Sequence, residues 1–321
     1  MTTRSLLRSA VFLAALIALD QGLGAGLGSL LARARSGQGA GLVQRALQAR
    51  DAGILVFGSS RAQRHVDPAA LERGLGLSAH NAGCPGQALA YARMLEALVL
   101  ARGSRARLFV LQIDPKHLFV DRSARASVFA PFYGESAAVD QILAADRFAA
   151  LKLQSRSYRF NSLALGLLRA VALPGAEADG NGFTPHRGRM GRAAAGAAPD
   201  AFAPPRTADG RYPFLPRMRQ MLRDFVADAR ARGIDVFVFL GPRYRGAART
   251  PDWELAARAE LGRVVASAGG AYAPVDEIAQ PELRQPALYF NRSHLNEQGA
   301  AVLSALLVRE IRTAFPQLAG N

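Results

Sequence analysis

Gly53-Ile54-Leu55-Val56-Phe57-Gly58-Ser59-Ser60 is the stretch from which the architecture of this chain can be read. Gly53 to Phe57 is continuously apolar and of strand length, Gly58 stops it, and Pro68-Ala69-Ala70-Leu71-Glu72-Arg73 beyond is compatible with a helix. An unalternating apolar run reads as a strand buried on both faces, as in parallel sheets, followed here by a tight turn. Side chains just past the carboxyl end of such a strand face the crevice where open α/β sheets bind ligands. Ser59, Ser60 and Arg61 therefore lie where chemistry collects. Taken alone, Gly-Ser-Ser is equally an ordinary turn with hydroxyl caps.

Working outward, the pattern alternates. Leu89 to Ala101 reads as a helix, Leu108 to Ile113 as a strand, Arg217 to Arg232 as an amphipathic helix, and Ile234 to Leu240 as another buried strand ending at Gly241-Pro242. Trp253 to Ala268 reads as helical and Ala271 to Val275 as a last short strand. Strands alternating with helices predict an α/β fold, a parallel sheet with helices on both faces. The exception is about 119–212, aromatic and arginine-rich at first, then rich in Ala, Gly, Pro and Arg from Gly188 to Gly210. It reads as an insertion between the third and fourth strands, standing near the carboxyl edge, its later part a flexible loop. Asp114-Pro115 and Gly241-Pro242-Arg243-Tyr244 come after strands too, so Asp114, Arg243 and Tyr244 join Arg61 as candidate substrate contacts in the same crevice.

The second informative segment lies about 230 residues after Ser60, where turn-like Asn291-Arg292-Ser293 precedes His294-Leu295-Asn296 and a helix begins with Val302, Leu303, Leu306 and Leu307 on its apolar side. His294 thus stands on a loop feeding a helix. The other four histidines, His65, His80, His117 and His186, have neither metal-ligand spacing nor a cysteine partner, so no metal and no cofactor is expected. A hydroxyl past a buried strand and a histidine at a helix start are the two ends of a serine-hydrolase site.

On these residues the chain resembles the SGNH (GDSL-like) hydrolase superfamily. The Gly-Asp-Ser block of that family matches Gly58-Ser59-Ser60, its glycine block after the second strand matches Asn81-Ala82-Gly83-Cys84-Pro85-Gly86, and its Asp-x-x-His block falls on Asn291-Arg292-Ser293-His294. The extended forms Gly-Ser-Ser-Arg and His-Leu-Asn-x-x-Gly-Ala look most like the membrane-anchored branch that accompanies teichoic-acid D-alanylation and alginate O-acetylation. The resemblance implies a flavodoxin-like three-layer fold over roughly residues 50 to 315, with Ser60 as nucleophile, His294 as base, Asn291 in the place of the carboxylate, and the backbone N–H groups of Ser60 and of Gly83 or Gly86 together holding an oxyanion. It implies a serine esterase or O-acyltransferase working on ester groups of a cell-envelope or exported polysaccharide, or on a small ester, beside a membrane-bound O-acyltransferase.

The chain departs from the family pattern at two points. Asn291 stands where the family has aspartate, and Leu108 to Pro115 carries no Gly-x-Asn-Asp block. In serine proteases, Asp→Asn at the equivalent role costs roughly 10⁴ in turnover. Three readings stay open: a Ser60–His294 dyad with Asn291 accepting through its amide oxygen, a carboxylate supplied by Asp114, Asp276 or Glu297, or a degenerate site kept for binding as a scaffold or carbohydrate-binding partner.

The amino terminus suggests a location. Arg4 and Arg8 flank an apolar stretch from Leu6 to Leu31, interrupted by Asp20-Gln21 and thinned by Gly22, Gly24, Gly26 and Gly28. With no small-x-small cleavage site after it, residues 1–35 are expected to be an uncleaved single-pass inner-membrane anchor, the positive end inside and residues 36–321 forming a periplasmic or otherwise extracytoplasmic α/β domain. A lone Cys84 excludes an internal disulfide. The net charge of +15 is scattered arginine, suited to anionic lipid or an acidic polysaccharide, whereas nucleic-acid binding lacks a motif, a basic stripe and interleaved aromatics.

Overall fold

A computed structural model of the 321-residue chain describes residues 3–34, 39–121, 123–144, 147–173, 180–191, 202–246 and 248–318. The chain divides into two compact units. One comprises residues 1–45 and 126–179, the other residues 46–125 and 180–321.

The larger unit is built on five parallel strands, β1 (Ile54–Phe57), β2 (Ala79–Asn81), β3 (Leu108–Ile113), β4 (Asp235–Leu240) and β5 (Ala271–Pro274), in the order β2-β1-β3-β4-β5. Every residue of β1 and β3 is buried, which accounts for their unbroken apolar sequences. Ile54, Val56, Leu108, Val110, Phe237 and Phe239 share one core cluster with Leu71 and Leu75 of the helix Pro68–Leu75 and with Leu303, Leu307 and Ile311 of the helix Glu297–Ala314. On the other side Phe57 and Phe109 meet Phe225 of the helix Pro216–Arg230, with ring centroids 5.3 and 6.2 Å away. Helices therefore cover both faces, as the alternation predicts.

The order places the reversal of winding between β1 and β3, where open sheets form a crevice at their carboxyl ends. The segment after β1 is more than a turn. Ser60–His65 is a short α-helix, capped by Ser59, whose side chain accepts from Arg61 N. Gly58 makes this junction possible. Its φ is +145°, and a Cβ there would lie 2.8 Å from Gln112 Cβ and 2.9 Å from Ala62 Cβ.

The segment expected as one insertion is split between the units, since residues 126–179 fall in the smaller and 180–191 in the larger. Asn181 O accepts from Asn81 N at 2.8 Å and Met190 N donates to Tyr289 O at 2.7 Å, so the returning chain is stitched across the α/β unit. Residues 192–201, the middle of the expected flexible loop, lie outside the described residues. The smaller unit holds a 31-residue helix, Thr3–Arg33, long and apolar enough to cross a membrane, as anchors and signal sequences both are.

Gly58→Ala is expected to destabilise the α/β unit by about 1–3 kcal/mol, the usual strain of a non-glycine residue at such a φ. Denaturant unfolding monitored by Trp253 fluorescence measures it, and an unchanged midpoint would show that the junction relaxes freely.

Candidate active site

At the end of β1 two adjacent serines have different duties. Ser59 Oγ donates to Gln112 Oε1 at 2.8 Å and accepts from Arg61 N at 3.2 Å, while Ser59 N–H donates to the same Oε1 at 3.3 Å. Ser59 is committed to pinning the strand–helix junction onto β3. Ser60, half-buried at the first position of the helix, lies with its Oγ 2.9 Å from His294 Nε2.

His294 arrives on an antiparallel pair of very short strands, β6 (Tyr289–Asn291) and β7 (His294–Leu295), and the helix Glu297–Ala314 starts immediately afterwards with Asn296 as its cap. Asn291 closes this hairpin. Its Oδ1 accepts from Ser293 N and His294 N, both at 2.9 Å, and lies 3.1 Å from His294 Nδ1. Two backbone donors can only be answered by the amide oxygen, so the orientation of Asn291 is set by the main chain. That oxygen then requires the ring proton on Nδ1, which leaves Nε2 free to accept from Ser60. Asn291 thus holds the tautomer that an aspartate would hold, without its charge.

The surroundings disfavour imidazolium. Burial, then Arg61, His186 and Arg64, push His294 down to about 4, with Asp114 pulling weakly the other way. Among the described residues no carboxylate hydrogen-bonds His294. Asp114 pairs instead with Arg61, Nη1 to Oδ1 at 2.6 Å, with both side chains buried. Burial pushes the Asp114 carboxyl up, but Arg61, His117, Lys116 and Arg243 outweigh it and hold it down at about 2. Asp276 pairs with Arg258 and Glu297 is exposed. Of the two readings that give His294 an acceptor, the described residues contain the amide-oxygen arrangement and not the carboxylate one.

Several expected contacts have other partners. Gly83 N–H, expected as an oxyanion donor, donates to Asn81 Oδ1 at 3.0 Å, and this is a correction: a buried Asn81, whose Nδ2 also donates to Ala62 O and Val66 O, has taken that donor to hold the helix of Ser60. Gly86 is exposed in the turn where Gln87 N donates to Cys84 O. The N–H of Ser60 opens the helix, where first-turn donors have no intrahelical acceptor. Arg61 spends its charge on Asp114. Arg243 pairs with Glu254, and its N–H donates to Glu277 Oε2 at 2.9 Å. Tyr244 packs edge-on to Tyr289 at 5.4 Å, and its N–H donates to Arg292 O.

Two histidines that no sequence pattern singles out also belong to the site. His65 Nε2 accepts from Leu295 N at 3.0 Å, joining the helix of Ser60 to the strand of His294. His186, on the returning segment, stacks on Phe290 with centroids 4.1 Å apart and stands edge-on to His294 at 5.3 Å. Neither lies in a periodic segment, so only the tertiary contacts reveal them. Among the described residues no group of three or more His, Cys, Asp or Glu is arranged to hold a metal ion. No family model matches the sequence, and no curated protein matches it.

Two outcomes are expected of His294. Asn291→Asp keeps the acceptor geometry and adds a negative charge at Nδ1, so the His294 titration moves upward from about 4, as NMR of the ring resonances will read. Because His294 in the unfolded chain binds its proton near 6.5 and in the fold only near 4, the unfolded state holds more protons between these values. Its contribution to stability is full above pH 6.5 and is lost as pH falls towards 4; denaturant midpoints of wild type and His294→Gln should converge on acidification across that window.

Proposed function

We propose that this chain is a serine esterase or O-acyltransferase of the SGNH type, with Ser60 as nucleophile and His294 as general base. The observation that carries the reading is the 2.9 Å contact between Ser60 Oγ and His294 Nε2, with the tautomer of His294 held by Asn291 Oδ1. In the reaction Ser60 Oγ gives its proton to Nε2 and forms a bond to the ester carbonyl carbon, and the Ser60 N–H faces the developing oxyanion. The resulting imidazolium returns the proton to the departing alkoxide as the ester C–O bond breaks. Water then resolves the acyl-serine to acid, or a sugar hydroxyl takes the acyl group. The polysaccharide substrate and the membrane O-acyltransferase partner rest on the resemblance of the Gly-Ser-Ser-Arg and His-Leu-Asn-x-x-Gly-Ala segments. The long apolar helix supports a membrane-anchored, extracytoplasmic protein.

A second reading has its own support. With no carboxylate hydrogen-bonded to His294 among the described residues, and with burial and then Arg61 lowering its basicity, the imidazolium on which both proton transfers depend is costly, which favours slow turnover or a binding role as a scaffold.

A fluorophosphonate probe applied to the full-length chain separates the two. The catalytic reading expects labelling of wild type, none in Ser60→Ala, and a reduction of orders of magnitude in rate for His294→Gln; a wild-type chain that takes no label would leave the scaffold standing. The labelling rate should stay level from neutral pH down to near 4, where His294 protonates, instead of falling near 6.5.

A further inference from the structure

The helix Thr3–Arg33 changes character at Asp20. Thr3 to Leu19 is exposed around its whole circumference, about 26 Å of bare helix, and its uninterrupted apolar part is the ten residues Ala10 to Leu19, with Arg4 and Arg8 before them. From Asp20 onward one side is covered, at Gly24, Leu27, Leu31 and Ala34, a spacing of four and three. The change is marked by a lock. The Asp20 carboxylate accepts from Ser155 Oγ and Ser157 Oγ, both at 2.6 Å, from Arg156 N at 2.9 Å and from Ser157 N at 3.0 Å. Four residues on, Gly24 lets the chain come so close that a Cβ there would lie 2.3 Å from Arg156 Cβ. The charge that interrupts the apolar run is thus fully hydrogen-bonded by protein, at the level where the bare part ends.

On either side of the 155–157 segment lies a short helix with an uncovered apolar face. Arg147–Lys152 exposes Phe148 at 61% and Leu151 at 69%, three residues apart. Ala164–Ala172 buries Leu167 and Ala170 yet exposes Leu165 at 83% and Leu168 at 49%, again three apart. That helix packs on Thr3–Arg33 and carries Arg169 as its one charged residue, so it is apolar on its outer face as well as its inner one. A helix in water puts polar groups on that face. Residues 147–173 also hold Arg147, Lys152, Arg156, Arg159 and Arg169 and no acidic residue.

We propose that these two helices form a shoulder seated in the lipid headgroup boundary around the point where the Thr3–Leu19 segment leaves the bilayer, with anionic phospholipid as its occupant. The proposal rests on the reading of that segment as a membrane anchor. Six and nine residues are too few to span a bilayer, so the helices lie on it, Phe148, Leu151, Leu165 and Leu168 entering the acyl boundary and the basic side chains reaching phosphates. Lipid fits better than a second protein chain because the 155–157 segment between the two helices is bonded to Asp20, where the bare part of the long helix ends. The all-basic charge of the segment complements anionic headgroups.

The test uses the full-length chain in nanodiscs of phosphatidylglycerol and phosphatidylethanolamine, carrying one nitroxide at a time at Leu13→Cys, Phe148→Cys, Leu165→Cys or, as the aqueous reference, Ala227→Cys on the other unit. Buried Cys84 stays in place, and the unsubstituted chain sets the background. The ratio of collisions with oxygen to collisions with a water-soluble nickel chelate is expected to be several-fold higher at Leu13, Phe148 and Leu165 than at Ala227. A high ratio at Leu13 with values at Phe148 and Leu165 equal to that at Ala227 overturns the shoulder and leaves the anchor. Shielding of Phe148 and Leu165 from both reagents overturns lipid in favour of a protein partner. A Leu13 value equal to that at Ala227, or removal of the segment, overturns the anchor and the shoulder with it.

Discussion

The hydrogen bond from Leu295 N–H to His65 Nε2 is the point on which the arrangement of the α/β unit turns. It joins two segments far apart in the chain, the short helix that begins with Ser60 and the hairpin that carries His294. For His65 to accept at Nε2 its proton must be on Nδ1, and that N–H is buried with no partner among the described residues, which costs about 1–3 kcal/mol. The cost is tolerated because burial, then His294 and Arg61, keep the ring neutral, so that the acceptor is permanent. Ser304 strengthens the same join by accepting from Asp67 N at 2.9 Å, just beyond the helix of Ser60. Ser60 and His294 are thereby held in register by groups outside their own contact.

Geometry and electrostatics pull in different directions at His294. The main chain of Ser293 and His294 fixes Asn291 so that its oxygen faces Nδ1, and the position of the ring proton is set by it. An amide supplies half of what a carboxylate supplies: it orients the ring but does not compensate the charge that appears on it. Arg61 would be the worst neighbour for such a ring were it unpaired. The Arg61–Asp114 pair, closed at 2.6 Å between the ends of β1 and β3, keeps that cation partly neutralised within the crevice.

The sheet was legible because β1, β3 and β4 are buried on both sides and so carry unbroken apolar runs, a signal that few alternative structures produce at that length. Ser60 and His294 were legible as the hydroxyl past the first strand and the histidine before the last helix. The helix Ser60–His65 was not, since Ser-Arg-Ala-Gln-Arg-His has no apolar periodicity; the N-cap at Ser59 was its one local sign. The roles of Asn81 and His186 were hidden for another reason. Asn81 looked like part of a glycine block, yet its amide answers carbonyls of a helix about fifteen to nineteen residues earlier. His186 lies in the segment read as an insertion, just before its Gly-, Ala-, Pro- and Arg-rich part, and its stacking on Phe290, its contact with His294 and the bond from Glu297 N to its carbonyl carry it to the site. Local pattern reports which face is buried, and contacts between distant irregular segments leave no such trace.

Ser60 and His294 stand 234 residues apart, so the hairpin of His294 is made long after the strand that leads to Ser60. A growing polypeptide therefore carries Ser60 as an ordinary alcohol until that hairpin emerges, with neither His294 nor the Leu295 N–H that holds the two segments together. The helix Glu297–Ala314, which begins directly after this hairpin, packs into the same core cluster as the sheet. Chains truncated before β6 would keep every strand of the central sheet and still lack the contact between Ser60 and His294.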